Sequence, residues 1–201
     1  KGLTFAIAGT SITLSGIAKG YFIDKLESIE CFSKNHRISA GSSSCSFTGE
    51  NPAQEDRNWY IGLKHPDYGG QTPYAIVVLN GTNTMSTSGD SENYFINQDG
   101  IRRHHILNPY TGYSENYYRY VTLTCKNHSA VLDALSTALF NISEESEMLR
   151  IVKKVEDFYG ISINLLYCMG EKEELNIRYK INDETLLNYT SSDNETKVIP
   201  Y

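Results

Sequence analysis

Two oxygen-bearing side chains, Asp133 and Thr137, stand four residues apart in a segment predicted to be helical. Residues at i and i+4 of a helix share one face, so the carboxylate and the hydroxyl would point the same way. Both are hard ligands of the type that Mg²⁺ binds while keeping other positions for water and phosphate. The aspartate lies among leucines, where a carboxylate shielded from water needs a partner. The pair indicates either a metal site or a carboxylate satisfied by a local hydrogen bond.

A second candidate is the run from Leu14 to Gly20, with two glycines and Lys19 at a predicted junction between a strand and a helix. Glycine lets the backbone approach a ligand closely, and the N-terminus of a helix favours anions such as phosphate, which Lys19 can reach. The spacing is not that of a P-loop. An ordinary turn with a surface lysine has the same sequence, so the pattern alone leaves both interpretations open.

Two further segments place polar groups next to turns. The run from Arg103 to Gly112 contains His104 and His105, and neighbours on a strand point to opposite faces, so at most one belongs to a given site. The run from Ser86 to Asp90 offers hydroxyls and flexible backbone that can hold phosphate or simply make the turn. Separately, the four segments do not distinguish a phosphoryl-transfer enzyme from a nucleotide-binding module.

The composition narrows the class of partner. The chain has 201 residues, a net charge of -6 and no run rich in Lys or Arg, which argues against binding to nucleic acid. No apolar run reaches the roughly 20 residues of a membrane-spanning helix. Because the sequence starts at Lys1 without a leader, we expect an excised or processed segment whose true N-terminus lies elsewhere. Four cysteines lack zinc or redox spacing and are expected to be buried thiols: Cys31, Cys45, Cys125 and Cys168.

Short alternating or β-branched runs predict the strands that position these segments. The predicted strand regions are Leu3 to Leu14, Arg37 to Ala40 before a small-residue loop at 41–44, Tyr60 to Lys64, Tyr74 to Leu79, a meander from Met85 to Ile106 with a hairpin turn at Asp99-Gly100, Tyr120 to Cys125, and a hairpin of Ile161 to Cys168 with Leu175 to Ile181.

Helical periodicity predicts three helices. The first has an apolar stripe of Ile17, Tyr21, Leu26 and Ile29. The second is capped by Ser129, and the third is capped by Ser143 and ends at Gly160. The apolar stripe of the third helix is Leu149, Val152, Val155 and Phe158. Because strands come in runs and outnumber helices, we predict an α+β fold with an antiparallel-rich sheet and packed helices, over one domain at 1–190 followed by a loose polar tail at 191–201.

Taken in order, the candidate segments closely resemble the successive motifs of the ApbE family of flavin transferases. The matching stretches are Gly16-Ile17-Ala18-Lys19-Gly20-Tyr21 with Asp24, Trp59-Tyr60-Ile61-Gly62-Leu63 with Pro66, Thr87-Ser88-Gly89-Asp90, His104-His105-Ile106-Leu107 with Pro109-Thr111-Gly112, and Asp133-Ala134-Leu135-Ser136-Thr137-Ala138. The match runs from about Leu14 to Phe140, and the resemblance implies the C-terminal two-thirds of the family's length with its T-fold-like architecture.

The resemblance implies a magnesium-dependent transfer of FMN from FAD to a Ser/Thr-containing motif of an acceptor protein, with release of AMP. The metal would be held by the backbone carbonyl of Gly16 and the side chains of Asp133 and Thr137. Four residues match positions that contact the flavin nucleotide: Thr13, Lys19, Thr87 and Ile106. His105 is the histidine expected at the phosphate region, either as the catalytic base or as a hydrogen-bond donor to a phosphate oxygen.

Departures from the family pattern keep two alternatives open. Thr13 stands where many members have Asp, Asn108-Pro109-Tyr110 replaces Asp-Pro-Arg/Lys, and Ser91 replaces the Tyr of Gly-Asp-Tyr. A flavin-binding or assembly module without catalysis is one alternative, and an FAD pyrophosphatase that yields FMN and AMP is the other. Family members are often bacterial, exported and membrane-anchored, so we expect an extracytoplasmic protein anchored through an absent N-terminal segment, with a cytoplasmic location as the alternative.

Overall fold

The computed structural model describes residues 4–29, 33–170, 175–180, 185–188 and 197–200. Three helices lie in this part of the chain: α1 (Ala18–Glu27), α2 (Ser129–Leu139) and α3 (Glu145–Tyr159). The described strands are β1 (His36–Ala40), β2 (Ser44–Thr48), β3 (Trp59–His65), β4 (Gly69–Leu79), β5 (Asn83–Gly89), β6 (Tyr94–Ile96), β7 (Arg102–His104), β8 (Tyr120–Cys125), β9 (Asn164–Met169), β10 (Asn176–Lys180), β11 (Thr185–Asn188) and β12 (Lys197–Pro200).

A seven-stranded sheet in the order β1-β2-β5-β8-β9-β10-β12 forms the centre of the fold. Its pairs are antiparallel except β10 with β12, which is parallel. A second sheet of three antiparallel strands has the order β11-β4-β3, and β6 pairs with β7 as a separate hairpin. The predicted α+β class with an antiparallel-rich sheet is confirmed.

The two faces of the large sheet are covered differently because its strands alternate their side chains between the faces. Val121 and Leu123 of β8 pack into a cluster with α2 and α3, which includes Leu132 and Val152. Tyr120 of β8 belongs to a second cluster, formed with the β3–β4 layer. Each fully buried leucine of these clusters contributes about 1.5 to 3 kcal/mol of transfer free energy. The result is a three-layer arrangement with the helices on one face.

The predicted strand at Leu3 to Leu14 is wrong for residues 4–14, which form turns and bends without strand pairing. Ile7 is 73% exposed and Leu14 is 63% exposed, so the alternating pattern buries no face. Strand propensity depends on a partner to pack against, and the described neighbours offer none here. Leu3 itself lies outside the described residues.

The serine-rich segment after β1 was predicted as a loop, but it leads at once into β2, which begins at Ser44. The segment Ser44–Thr48 is small and polar on one side, and it forms a strand because it pairs with β1 on one edge and with β5 on the other. At the other end of the chain, residues 197–200 form β12 beside β10, which corrects the prediction of a loose tail for those four residues. The division at residue 190 stays a prediction.

Both predicted serine caps are wrong. The residue before α2 is His128, in a left-handed conformation, and α3 is preceded by Glu144. The predicted apolar stripes are also partly displaced: α1 buries Gly20 and Ile23, whereas Tyr21 is exposed. In α3 the fully buried positions include Met148 and Val152, while Phe158 is 79% exposed. Gly160 ends α3 with a left-handed φ of 66°, as predicted.

Three of the four cysteines are free and buried, as expected: Cys45, Cys125 and Cys168. Burial raises the pKa of the Cys45 thiol to about 11 and the pKa of both Cys125 and Cys168 to about 12. Their thiols therefore stay protonated and inert at neutral pH. Cys31 lies outside the described residues, as does Ile181 at the end of the predicted hairpin.

Candidate metal and phosphate site

The side chains of Asp133 and Thr137 lie on the face of α2 that packs against β5, as their i, i+4 spacing predicts. Asp133 is only 3% exposed. Its carboxylate is surrounded by donors from three other elements. The backbone N–H of Gly20 donates to Oδ2 at 3.0 Å, and the hydroxyls of Ser44 and Ser86 donate to Oδ1 at 3.4 Å each. These bonds offset the cost of burying the carboxylate.

Lys19 adds a positive charge at the edge of this site. Its Nζ lies 3.8 Å from Asp133 Oδ1 and donates to the backbone carbonyl of Ser15 at 3.1 Å. The lysine side chain is 39% exposed, whereas the Asp133 side chain is 4% exposed. The ammonium group therefore lies between the buried carboxylate and solvent, where it can meet an incoming anion.

Thr137 completes the oxygen pair in a form suited to a cation. Its hydroxyl donates to the backbone carbonyl of Asp133 at 3.1 Å, which uses its single proton and leaves its lone pairs free to accept. The hydroxyl of Ser88 lies 3.2 Å from Thr137 Oγ1 and 2.9 Å from the hydroxyl of Ser136. A Cβ built on Gly16 would lie 3.5 Å from Thr137 Oγ1. The absence of a side chain at Gly16 thus keeps space open beside that hydroxyl.

The first turn of α1 lies beside Asp133. Ala18 and Tyr21 donate their N–H groups to the carbonyls of Leu14 and Ile17 in helical fashion. Gly20 instead donates to Asp133, so it does not close the corresponding bond to the carbonyl of Gly16. The free N–H groups at a helix N-terminus carry partial positive charge, which favours an anionic partner. Because the Gly20 N–H is used by Asp133, the carbonyl of Gly16, a predicted metal ligand, lacks the N–H donor that it would have in a regular helix.

Close packing of α1 on α2 fixes the position of both helices. A Cβ on Gly20 would lie 2.2 Å from the backbone oxygen of Ser129, so only glycine allows this approach. One turn further along α1, the carboxylate of Asp24 accepts the backbone N–H groups of Ser129 at 2.8 Å and Ala130 at 2.9 Å. Asp24 is thus the cap of α2 in place of the predicted Ser129. The signal in the sequence for this cap was the i, i+4 spacing of Gly20 and Asp24, which puts both residues on one face of α1.

Thr13 and Thr87, both predicted to contact the nucleotide, form their hydrogen bonds with residues other than Asp133 and Thr137. Thr13 is exposed and donates its hydroxyl to Ser15 Oγ at 3.1 Å. Thr87 bonds with the hydroxyl of Thr122 at 3.0 Å. Because Ser86 and Ser88 face α2, the alternation of β5 puts Thr87 on the opposite face of the sheet. The structure therefore brings together Asp133, Thr137, Lys19 and Gly16, but not Thr87.

The two histidines point to opposite sides, as predicted. His104 is buried: its Nε2 donates to the carbonyl of Glu115 at 2.8 Å, and its Nδ1 accepts the N–H of Ile106 at 3.3 Å. This pattern defines a neutral ring with the proton on Nε2. Burial lowers the pKa of His104, against an opposing effect of the Glu115 carbonyl. His105 is exposed and available to a ligand, while Ile106 is buried in the core beside α2.

Asn108 shows how the chain accommodates one departure from the family pattern. Its Oδ1 accepts the N–H of Tyr110 at 2.9 Å, while its Nδ2 donates to Glu115 Oε1 at 2.9 Å. An ionised aspartate could accept the first bond but could not donate the second. Tyr110, at 96% exposure, takes no part in holding this turn through its ring. Asn108 thus stabilises the turn that follows the histidines.

A buried charge network that sequence reasoning missed supports the end of β5. Arg119 donates through Nε to both carboxylate oxygens of Asp90, at 3.1 and 3.0 Å. The other nitrogens of Arg119 reach Asp67 at 3.2 and 3.0 Å. Asp90 and Arg119 are 2% and 7% exposed. Asp90 therefore stabilises the fold, and a signal existed in the lone arginine of the otherwise aromatic run Tyr117-Tyr118-Arg119-Tyr120.

The donor set near Asp133 fits a hard cation, because it offers a carboxylate, a hydroxyl with its proton engaged, and a carbonyl without its helical donor. Within the described ranges, no cluster of three or more His, Cys, Asp or Glu side chains could hold a metal by itself. Any cation here would therefore rely on neutral oxygens together with Asp133. None of the described helices is long and apolar enough to cross a membrane.

Comparisons with known proteins agree with this architecture. Residues 1–159 match the profile of the ApbE family. The chain is 29% identical over 154 residues to an FAD:protein FMN transferase of Haemophilus influenzae, covering 73% of this chain and 42% of that protein. It is 32% identical over 144 residues to the Vibrio cholerae protein of the same name, covering 68% and 40%. The chain thus spans about 40% of the length of these relatives, less than the expected two-thirds.

Solved structures give the same result. The ApbE protein of Thermotoga maritima superposes with a TM-score of 0.62 at 32% identity, over 80% of this chain and half of that one. The apo flavinyl transferase ApbE of Pseudomonas stutzeri shares the fold with a TM-score of 0.51 at 24% identity, over 88% of this chain and 48% of that one. Together with the family match over residues 1–159, this shows that the chain belongs to the ApbE family.

Proposed function

We propose that this chain supplies the metal- and phosphate-binding part of an FAD:protein FMN transferase that moves FMN from FAD to a Ser/Thr of an acceptor protein and releases AMP. The observation that carries the proposal is the placement of Asp133 and Thr137 on one face of α2, with Lys19 Nζ 3.8 Å from the carboxylate. The names of the relatives give the reaction class.

In this proposal Asp133, Thr137 and the carbonyl of Gly16 would hold Mg²⁺. A bound Mg²⁺ would supply Lewis acidity to the pyrophosphate and offset charge that develops during transfer. Lys19 would bind the pyrophosphate from the solvent side, where its ammonium group already lies. The hydrogen bonds to Asp133 from Gly20, Ser44 and Ser86 would keep its carboxylate fixed while the substrate binds and leaves.

His105 is the proposed proton acceptor for the attacking Ser/Thr hydroxyl, because His104 is buried with both ring nitrogens engaged. Thr13 and Ile106 are proposed to contact the flavin nucleotide. Thr87 would reach a nucleotide only from the sheet face opposite α2. Thr87 is therefore proposed to contact the nucleotide on that opposite face, separately from the metal site.

The test is to incubate the full-length protein with FAD, Mg²⁺ and a threonine-bearing acceptor, and to follow flavin fluorescence on the acceptor together with AMP release. We expect a labelled acceptor with the wild type and none with Asp133→Ala. Asp99→Ala is the control, since Asp99 lies in an exposed hairpin turn. Labelling that survives Asp133→Ala would refute the metal assignment.

Thr13, Asn108 and Tyr110 support the second candidate, a module that binds FAD without catalysis. In the same assay this module would bind FAD without releasing AMP. An FAD pyrophosphatase would release AMP and free FMN and leave the acceptor unlabelled. The three outcomes differ in products, so one assay separates them.

A further inference from the structure

Asp133 is held by two serines whose sequence positions carry no metal-ligand signal. Ser44 and Ser86 come from neighbouring strands, are 1% and 0% exposed, and lie 3.3 Å apart at Oγ. Each lies 3.4 Å from Asp133 Oδ1. Because an ionised carboxylate only accepts hydrogen bonds, the hydroxyl of Ser86 that faces it acts as a donor.

A row of hydroxyl oxygens leads from Ser86 to Thr137, the second oxygen ligand. Its Oγ is 3.5 Å from Ser136 Oγ, which is 2.9 Å from Ser88 Oγ. Ser88 Oγ is in turn 3.2 Å from Thr137 Oγ1. The Thr137 proton is given to the backbone of Asp133, so the hydroxyl accepts from Ser88. Both proposed metal ligands therefore contact buried serines of β5, Asp133 through Ser86 and Thr137 through Ser88.

We propose that Ser86 is a positioning residue, which orients the Asp133 carboxylate toward the cation by donating its hydroxyl proton to Oδ1. This inference rests on the proposed function, since it assumes that Asp133 binds Mg²⁺. A carboxylate on a helix can rotate about its side-chain bonds, and the Gly20 N–H holds only Oδ2, so the orientation of Oδ1 depends on the hydroxyls of Ser44 and Ser86. Partners that orient a metal ligand usually change metal affinity by about 10- to 100-fold when removed.

The position offers a closely matched control on the adjacent strand. Ser46 of β2 is 4% exposed and donates its hydroxyl to a carboxylate, Glu27 Oε1, at 2.5 Å. Glu27 keeps further donors, Thr48 and His36, just as Asp133 keeps Ser44 and Gly20. Ser46→Ala and Ser86→Ala therefore each remove a buried hydroxyl that donates to a carboxylate, but of these two serines only Ser86 contacts the proposed metal ligand.

The experiment measures Mn²⁺ binding to the full-length protein without FAD, by electron paramagnetic resonance, alongside thermal unfolding without metal. We expect Ser86→Ala to weaken Mn²⁺ binding by about 10-fold and Ser46→Ala to leave it within about 2-fold, with similar shifts in unfolding temperature. Ser86→Cys, which keeps a side chain of similar shape with a weaker donor, is expected to weaken binding in the same direction if Ser86→Ala does not fold.

Asp133→Ala separates failure of this inference from failure of the proposed function. If Asp133→Ala abolishes Mn²⁺ binding while Ser86→Ala and Ser86→Cys bind as the wild type does, the positioning role is wrong and the metal site stands. If Asp133→Ala binds Mn²⁺ normally, both are wrong. If Ser86→Ala and Ser46→Ala weaken Mn²⁺ binding equally, Ser86 only stabilises the fold and the inference is wrong.

Discussion

The backbone N–H of Gly20 donates a 3.0 Å hydrogen bond to Oδ2 of Asp133, between residues 113 positions apart in sequence. This bond joins the first turn of α1 to the helix that carries both proposed metal ligands. It is possible only because Gly20 lacks a side chain and lets α1 approach the backbone of α2. Metal site and helix packing are therefore parts of one arrangement.

Gly20→Ala should destabilise the protein strongly. The new Cβ would lie 2.2 Å from the backbone oxygen of Ser129, which cannot rotate away, so the two helices must separate. We expect a loss of about 1 to 3 kcal/mol in the free energy of unfolding, measured by urea denaturation. Gly16→Ala is the comparison, because its Cβ would meet Thr137 at 3.4 Å or more and cost less. Equal stability of Gly20→Ala and wild type would contradict the packing argument.

Asp24→Ala removes the cap of α2. Two N–H groups, those of Ser129 and Ala130, lose their acceptor, and we expect about 1 to 2 kcal/mol of destabilisation in chemical denaturation. Asp24→Asn keeps an acceptor oxygen and should lose less. Asp157→Ala serves as control, since its ion pair with Lys153 is fully exposed and a surface pair contributes little. If Asp24→Ala resembles Asp157→Ala, Asp24 is not the cap.

Asp90→Ala should be among the most damaging substitutions in the described part of the chain. It leaves Arg119 with half of its carboxylate partners in a buried site, and breaking a buried pair costs about 3 to 5 kcal/mol. Far-ultraviolet circular dichroism during thermal unfolding would show the effect. Full stability of Asp90→Ala would mean that Asp90 is not structural, and the Thr87-Ser88-Gly89-Asp90 motif would then need a ligand-binding explanation.

His104 should make stability depend on pH in a defined direction. Burial lowers its folded-state pKa below the ordinary 6.5, so as pH falls through 6.5 the unfolded chain binds a proton before the folded protein does. The free energy of unfolding therefore decreases as the pH falls, until the pH is below the folded-state pKa of His104. Well above pH 6.5 this decrease is absent. The stability advantage of wild type over His104→Gln should shrink between about pH 8 and about pH 5. A constant difference would show that His104 does not titrate on unfolding.

The buried thiols should resist modification. The pKa of Cys45 is about 11 and that of Cys125 and Cys168 about 12, so almost no thiolate exists at pH 8. In Cys31→Ser, a disulfide-exchange reagent such as Ellman's reagent should react slowly in buffer and rapidly with three thiols in denaturant. Fast reaction in buffer would indicate that the core opens readily.

The local sequence pattern predicted those parts of the fold whose structure depends on residues close together in the sequence. The i, i+4 spacing placed Asp133 and Thr137 together, and alternation separated His104 from His105. It failed for residues 4–14, where strand formation needs a partner, and for Ser44, whose strand exists through pairing with β5. The hydrogen-bond donors around Asp133 come from segments far apart in the sequence, so they are seen only in the folded structure.

The most direct test of the account is the Mg²⁺ concentration that half-saturates FMN transfer in Thr137→Val, with Thr124→Val as control. Both replace a hydroxyl by a methyl of similar size, but Thr124 lies on β8, where its hydroxyl accepts from Asn164. We expect Thr137→Val to require at least about 10-fold more Mg²⁺, because it loses one ligand, and Thr124→Val to require the same amount as the wild type. An unchanged requirement in Thr137→Val would contradict the proposed metal site.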